Sequence, residues 1–472
     1  MPSPKRDIYL LSPKQLSPET IAVAFAKTSR SPDSFRDIAA GLTDEKSAQF
    51  HEKWVVGYGH ASVAEHAVLH IAIENASRVA MEAIEGNRLA SYTEKSTRYQ
   101  KWDPDAFHIP AELEGHPLRD EFVEACRLLF EAYAASLAPV RAVVQGHTPR
   151  RENESDEAWD RRVRSQYVDV CRFLLPASAL ANVGMTANGR VLENAISKWR
   201  SHPLAEVREI GEAVMQVAQT EIPTLVKYAE PVPYLIETSA EFEARKSKIE
   251  SPKSDDWCRL VSWDPDGQER VLAAALYRFG GMDYASALDL VRTIPEAERE
   301  QLAESLLGRL GVHDIPLREL EHTAYTFDLV MDQGAYAEFK RHRMMTQTPQ
   351  LQTAALGYAT PRRIVEAGLE GEYRRAMEAA AEMWGRLADW NPQVAQYTVP
   401  NGFNRRVLAT FNLREAFAFC RLRAAANAHF SIRRVAQRVA EEIRRVHPLL
   451  GRYMALHEET WQAVEDGYFF GG

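Results

Sequence analysis

Two short runs carry most of the chemistry this chain could do. One is Glu94-Lys95-Ser96-Thr97-Arg98-Tyr99. Its hydroxyl and guanidinium stand two residues apart, and in an extended loop both could converge on one phosphate, with backbone amides completing the shell. Glu94 could orient the Arg or accept from a ribose hydroxyl. The other run is Arg341-His342-Arg343, which closes a segment (334–340) that can be helical. Two guanidinium forks and an imidazole within one turn splay around an anion, such as a pyrophosphate or an anionic ring. Each run also has a plainer reading. The first fits a helix N-cap among surface charges, and the second fits a solvated basic face.

Other polar residues stand at suggestive places. Arg172 precedes the apolar stretch ending at Pro176, where a long side chain often snorkels along a core edge. Asn188 and Arg190, like Asn412 and Arg414, could grip a ligand amide and a phosphate, or cap the helices that follow. His66 and His70 are four apart, a zinc-ligand spacing on a helix. A zinc site needs three or four ligands, so no metal is expected. No Ser/His/Asp set, GxGxxG turn or P-loop lies at a strand–helix junction, so any flavin or nicotinamide would sit outside a Rossmann fold.

The elements that must position these residues occur twice. Glu65-His66 and Glu321-His322 each open a stretch of period two. Leu69, Ile71 and Ile73 alternate in one, and Tyr325, Phe327 and Leu329 in the other, which predicts half-buried strands. Asn188 and Asn412 follow Pro176 and Pro400 at one and the same spacing. Each then leads to an amphipathic helix. Val207, Ile210, Val214 and Val217 form one stripe, and Ile432, Val435, Val439, Ile443 and Val446 the other, with Pro223 and Pro448 marking the ends. The polar stretch 150–164 reads as a surface loop or helix start. The expected organisation is a first domain at 1–235, a linker at 236–260 centred on the Glu/Lys/Ser/Asp-rich run, and a second domain at 261–472. Helical segments outnumber strands without regular alternation, so the expected class is α+β, not a doubly wound sheet.

Bulk properties exclude several classes. The 472 residues exceed one ordinary core. Apolar content of 45%, charged content of 26% and a net charge of −9 point to a globular protein without nucleic-acid or anionic-membrane partners. An anionic ligand would then need a local cationic cluster. The four cysteines are scattered, which fits a reducing cytosol. The first residues do not resemble a signal peptide, and no apolar run approaches membrane-spanning length.

Taken together, the motifs resemble the flavin-dependent thymidylate synthases. That family's signature is Arg-His-Arg, seven residues, then Ser, commonly within Glu-x-Ser-x-Arg-Tyr. Ser96 follows Arg88 after seven intervening residues, with Glu94, Arg98 and Tyr99 in place. The resemblance extends over the Gly59–His66 run, Arg172 to Pro176, Asn188, Arg190, Asn194 and the helix to Pro223. In the second half it takes in Glu321-His322, Arg341 to Arg343, Pro400, Asn412, Arg414 and Arg423. The chain therefore looks like a tandem fusion of two family domains.

The resemblance implies a twisted antiparallel sheet flanked by helices in each half. It implies reductive methylation of dUMP to dTMP, with methylenetetrahydrofolate as carbon donor and NADPH as reductant through FAD. Nucleotide contacts would come from Glu94, Ser96, Arg98 and Arg172. Cofactor contacts would come from Arg341, His342, Arg343, Arg88, His66, Asn188, Arg190, Asn194, Asn412 and Arg414. Catalytic roles fall on Arg423 and Arg200. The family assembles as homotetramers with sites between subunits, so two of these double chains would mimic that assembly as a homodimer.

Each half departs from the pattern. Gly86-Asn87 replace the Arg-His of the first cluster. In the second half Leu351 stands at the Ser position, Pro349 and Thr353 at those of Glu and Arg, and Gln396 opposite Arg172. The expectation is a composite site, with its flavin arm from the second half and its nucleotide arm from the first. The alternatives are a degenerate flavin- or nucleotide-binding protein, or an enzyme acting on another pyrimidine nucleotide.

Overall fold

The computed structural model describes residues 7–29, 31–57, 61–99, 102–245, 256–311 and 313–470. They form two compact units. Unit 1 comprises Met1–Lys95, His108–Glu114 and Leu180–Glu250; unit 2 comprises Ser96–Phe107, Gly115–Ala179 and Ser251–Gly472. The Gly59-His60 pair quoted for the resemblance and residues 246–255 lie outside the described residues.

Unit 1 holds a three-stranded antiparallel sheet of β1 (Val68–Ser77), β2 (Ser91–Glu94) and β3 (Leu180–Asn188), in the order β1-β3-β2. Unit 2 holds a four-stranded antiparallel sheet of β4 (Cys258–Trp263), β5 (Ala324–Asp332), β6 (Thr346–Pro349) and β7 (Asn404–Asn412), in the order β4-β5-β7-β6. The class is α+β with two separate sheets.

The repeat is visible in the strand registers. Val68 pairs with Asn188 in unit 1, and Ala324 pairs with Asn412 in unit 2. Ser91 meets Thr186, and Thr346 meets Thr410. The alternation read from sequence sets the faces: Leu69, Ile71 and Ile73 are buried in one sheet, Tyr325, Phe327 and Leu329 in the other. In each repeat a helix follows the corresponding strand, β1 or β5, and is capped by that strand's last residue. Ser77 accepts from Ala80 N to start Arg78–Glu85, and Asp332 accepts from Ala335 N to start Gln333–Phe339.

Some expectations are corrected. His66 ends a 3-10 turn, Ala61–His66, with its ring 4.9 Å from that of Phe25, while His70 lies in β1, so the two do not share a helix. Val217 is exposed on the helix Ala205–Gln219, because the buried stripe there runs through Val207, Gly211 and Val214. The region 236–260 is not a plain tie. The helix Pro233–Arg245 fills its start and β4 begins at Cys258. That helix buries no residue, exposing Tyr234, Ile236 and Phe242 alongside an i,i+4 pair, Glu241–Arg245.

The compact units also cut across the sequence halves. Unit 2 takes in the helices Arg119–His147 and Asp156–Cys171 of the first half. Within unit 2, corresponding segments of the two halves pair antiparallel at Pro176 and Pro400. Ala177 N donates to Val399 O at 2.9 Å and Asn401 N to Leu175 O at 3.0 Å. The main core of unit 2 lies under its sheet, with Phe327 stacked on Phe411 and the helix Phe430–Val446 buried along most of its length. Among the described residues no helix is long and apolar enough to cross a membrane.

Candidate active site

Arg98 lies in the short 3-10 turn Thr97–Tyr99, and the exposed Ser96 turns back to accept from Arg98 N at 3.3 Å. The Arg98 fork closes on one carboxylate: Nε meets Asp169 Oδ1 at 2.8 Å and Nη2 meets Oδ2 at 2.6 Å. Asp169 sits in the last turn of Asp156–Cys171. One turn on, Arg172 reaches the same carboxylate through Nη2 at 3.1 Å and donates from Nη1 to Thr97 Oγ1 at 3.1 Å. Burial pushes the Asp169 carboxyl up, but Arg172, His429 and Arg98 outweigh it and hold the group below the usual carboxylate range. His429 is buried, faces Asp169 O through Nε2 at 3.1 Å and packs against both Phe173 and Phe430, which also stack on each other.

The cationic trio follows the helix Gln333–Phe339, in the turn before β6. Arg341 is exposed and Arg343 half-buried. His342 is buried, with Nδ1 2.9 Å from Glu415 Oε1 and Phe419 edge-on to its ring. Glu415 lies in the first turn of Leu413–Arg423, and Arg423 ends that helix.

Glu338 joins the two sets. It accepts from Arg423 Nη1 at 2.8 Å and lies 3.7 Å from Arg172 Nη2. The result is a chain of alternating sign within unit 2: Arg98, Asp169, Arg172, Glu338, Arg423, then His342 and Glu415. Burial lowers the Arg423 pKa, and nearby Arg341 adds to this while Glu338 opposes it. A guanidinium still stays protonated at neutral pH. No thiol competes as a nucleophile: all four cysteines are buried, and burial pushes Cys126 and Cys171 up to about 12.

Ser96, Arg98, Arg172, Arg341, His342, Arg343, Arg423, Asn412 and Arg414 thus fall in unit 2. Glu94, Arg88, His66, Asn188, Arg190, Asn194 and Arg200 fall in unit 1. Glu94 is nearly buried and accepts from Arg78 Nη1 at 3.0 Å. Arg88 and Asn194 are exposed. The Asn residues of the two Asn-x-Arg motifs act as caps. Asn188 accepts from Val191 N at 3.0 Å and Asn412 from Glu415 N at 2.9 Å. Their Arg partners both turn to the Glu before the repeated His: Arg190 to Glu65 at 2.6 Å and Arg414 to Glu321 at 2.7 Å. Arg200 ties helix ends in unit 1, reaching Ala229 O at 2.7 Å, Glu212 at 3.1 Å and Glu230 at 3.1 Å.

Sequence reasoning did not single out Asp169, Glu338, Glu415 or His429. A signal existed for one of them: Asp169 precedes Arg172 by one helical turn, and the two pair. Among the described residues no group of three or more metal-ligating side chains comes together.

Residues 11–224 and 259–449 match the model of the thymidylate synthase complementing protein family. The chain belongs to that family, the flavin-dependent thymidylate synthases. The two matched stretches fit a tandem arrangement of the family domain. A UPF0159 protein of Chlamydia muridarum is 32% identical over 435 residues, covering 88% of this chain and 82% of the relative. A flavin-dependent thymidylate synthase of Sulfurisphaera tokodaii is 32% identical over 207 residues, covering 42% of this chain and 76% of its own length. The solved structure of a UMP/dUMP methylase from Streptomyces cacaoi, bound with 5-Br dUMP, is 20% identical and covers 43% of this chain and 95% of its own, at a TM-score of 0.34.

Proposed function

We propose that this family member methylates dUMP to dTMP, with methylenetetrahydrofolate as carbon donor and NADPH as reductant through FAD. The observation that carries the reading is the chain of contacts from Arg98 to His342. Residues kept only by the first half and residues kept only by the second belong to one compact unit.

Ser96, Arg98 and Arg172 would bind the nucleotide phosphate, with Glu94 contributing to the nucleotide. The donor set fits a flavin dinucleotide, since Arg341, His342 and Arg343 form a cationic turn suited to pyrophosphate. Arg88, His66, Asn188, Arg190, Asn194, Asn412 and Arg414 would add further cofactor contacts. FAD, when bound, supplies the hydride chemistry. The protein's part is to hold an anionic nucleotide in register with the ring and to steady developing charge, for which Arg423 and Arg200 are the catalytic candidates. Two copies of the chain would supply the four domains of the family assembly.

A second reading, flavin and nucleotide binding without turnover, is favoured by one observation: two edges of the Arg98 fork are already set on Asp169. Tritium release from 5-labelled dUMP, with NADPH and methylenetetrahydrofolate, separates the two. Rescue of a thymidine auxotroph supports the first, and a yellow protein that binds dUMP without releasing tritium supports the second.

A further inference from the structure

We infer that Asp169 and Glu338 are positioning carboxylates that preset the guanidiniums of Arg98, Arg172 and Arg423 as one array; this rests on the functional reading above. Arg98 and Arg172 are both proposed for the nucleotide phosphate, and both converge on the same anion, but that anion is the protein's own. Asp169 could be a placeholder that an incoming phosphate displaces, or a strut that stays. Its burial and contacts decide for the strut. The Asp169 side chain is 8% exposed and bound by two guanidiniums, three contacts of 3.1 Å or less. Breaking a buried ion pair costs more than a single charge-assisted hydrogen bond returns.

The geometry suits a strut in a second way. Arg172 divides its fork between Asp169 and Thr97 Oγ1, so its rotamer is set before any ligand arrives. Presetting a long side chain removes an ordering cost from binding. Glu338 repeats the device one step further, between Arg172 and Arg423. Alternating signs also let three guanidiniums gather in a largely buried region where they would otherwise repel. Arg423 touches His342, so the array extends from the phosphate-binding arm to the flavin-binding arm.

The test uses the full chain loaded with FAD, with dUMP as the probe in calorimetric titrations and in flavin absorbance. Asp169→Asn keeps the shape and removes the charge. It should raise the dUMP Kd about tenfold at unchanged FAD content. Combined with Arg172→Ala, it should raise Kd by less than the product of the two single effects. Glu338→Gln should weaken dUMP and diminish the flavin spectral change that dUMP produces. If Asp169→Asn does not yield a folded flavoprotein, Thr97→Val decides, with a three- to fivefold weaker Kd that again falls short of multiplying with Arg172→Ala. Effects that simply multiply, an unchanged Kd, or loss of FAD in step with dUMP affinity overturn the inference. Failure of the unaltered FAD-loaded protein to bind dUMP overturns the functional reading itself, which is a different result.

Discussion

Arg423 donates from Nε to Nε2 of His342 across 3.0 Å. A guanidinium cannot accept, so Nε2 carries the lone pair and the imidazole proton sits on Nδ1, facing Glu415. The ring is held in one orientation between Arg423 and Glu415, with Phe419 edge-on to it. Arg423 therefore orients the middle residue of the cationic trio while also neutralising Glu338.

Arg423→Ala is expected to act on stability and activity separately. Glu338 would keep only the 3.7 Å approach of Arg172, in a partly desolvated setting. Losing one partner of such a pair should destabilise unit 2 by about 3 kcal/mol, measured by urea unfolding. Turnover in the tritium assay should fall about a hundredfold or more, the scale of one lost electrostatic group. Arg423→Lys should recover stability more than activity, since an ammonium lacks the fork that reaches two partners. Equal recovery of both would count against an oriented role.

A second prediction comes from a pair written in opposite senses in the two repeats. In unit 1 the cap is a hydroxyl and its support a carboxylate: Ser77 Oγ donates to Glu206 Oε2 at 2.6 Å, and Ser77 N to Oε1 at 2.7 Å. In unit 2 the cap is the carboxylate of Asp332 and its support the hydroxyl of Ser431. Glu206→Ala leaves a buried amide and hydroxyl without their acceptor and should cost about 2–3 kcal/mol. Adding Ser77→Asp to Glu206→Ser should restore a good part of that, because it writes unit 2's version into unit 1. Thermal midpoints of the single and double variants check this, and a double variant weaker than either single would refute it.

These pairs show what the sequence could and could not reveal. The strands were legible because Leu69, Ile71, Ile73 and their counterparts Tyr325, Phe327 and Leu329 repeat at period two, which only a pleated half-buried element satisfies. The caps at Asn188 and Asn412 were legible as one of two readings, because a capping oxygen and a ligand-binding amide use the same residue type. Asp169, Glu338 and Glu415 were not singled out: carboxylates are common on helices, and their role depends on which Arg arrives from elsewhere in the chain. The composition of unit 2 was hidden for a related reason. Phe122, Leu129, Phe130 and Tyr133 announce a buried helix face, but not the half whose core receives it.

Acid should weaken both units through their buried imidazoles. Burial lowers the pKa of His51 and His202 in unit 1, that of His202 to about 4, and of His429 and His447 in unit 2. The unfolded chain protonates these imidazoles near pH 6.5, so below that value it binds more protons than the folded one. Stability is therefore full above pH 6.5 and falls as the pH drops towards the folded values. Each extra proton gives a slope of about 1.4 kcal/mol per pH unit, and two per unit give up to roughly 2.7. Urea midpoints at pH 7.5, 6.5 and 5.5 measure it. A midpoint unchanged across that range would show that these histidines are not kept neutral by folding.

The cationic turn gives the last prediction. Arg341 is exposed and Arg343 half-buried, and neither belongs to the hydrophobic core of unit 2. Replacing the exposed Arg341 with Ala should leave the thermal midpoint of the FAD-free protein within a few degrees, as expected at an exposed position, and Arg343→Ala is compared with it. The FAD content of purified protein should nevertheless fall, because a charge-assisted pyrophosphate contact contributes about 1.5–3 kcal/mol, or roughly ten- to a hundredfold in affinity. His342→Asn carries the contrast further. It installs the residue that unit 1 bears as the buried Asn87 and removes the acceptor that fixes Arg423. That variant should lose both FAD and the Arg423-dependent part of turnover. If all three variants purify as yellow as the unaltered protein, the turn is a solvated basic surface and the flavin must be held elsewhere.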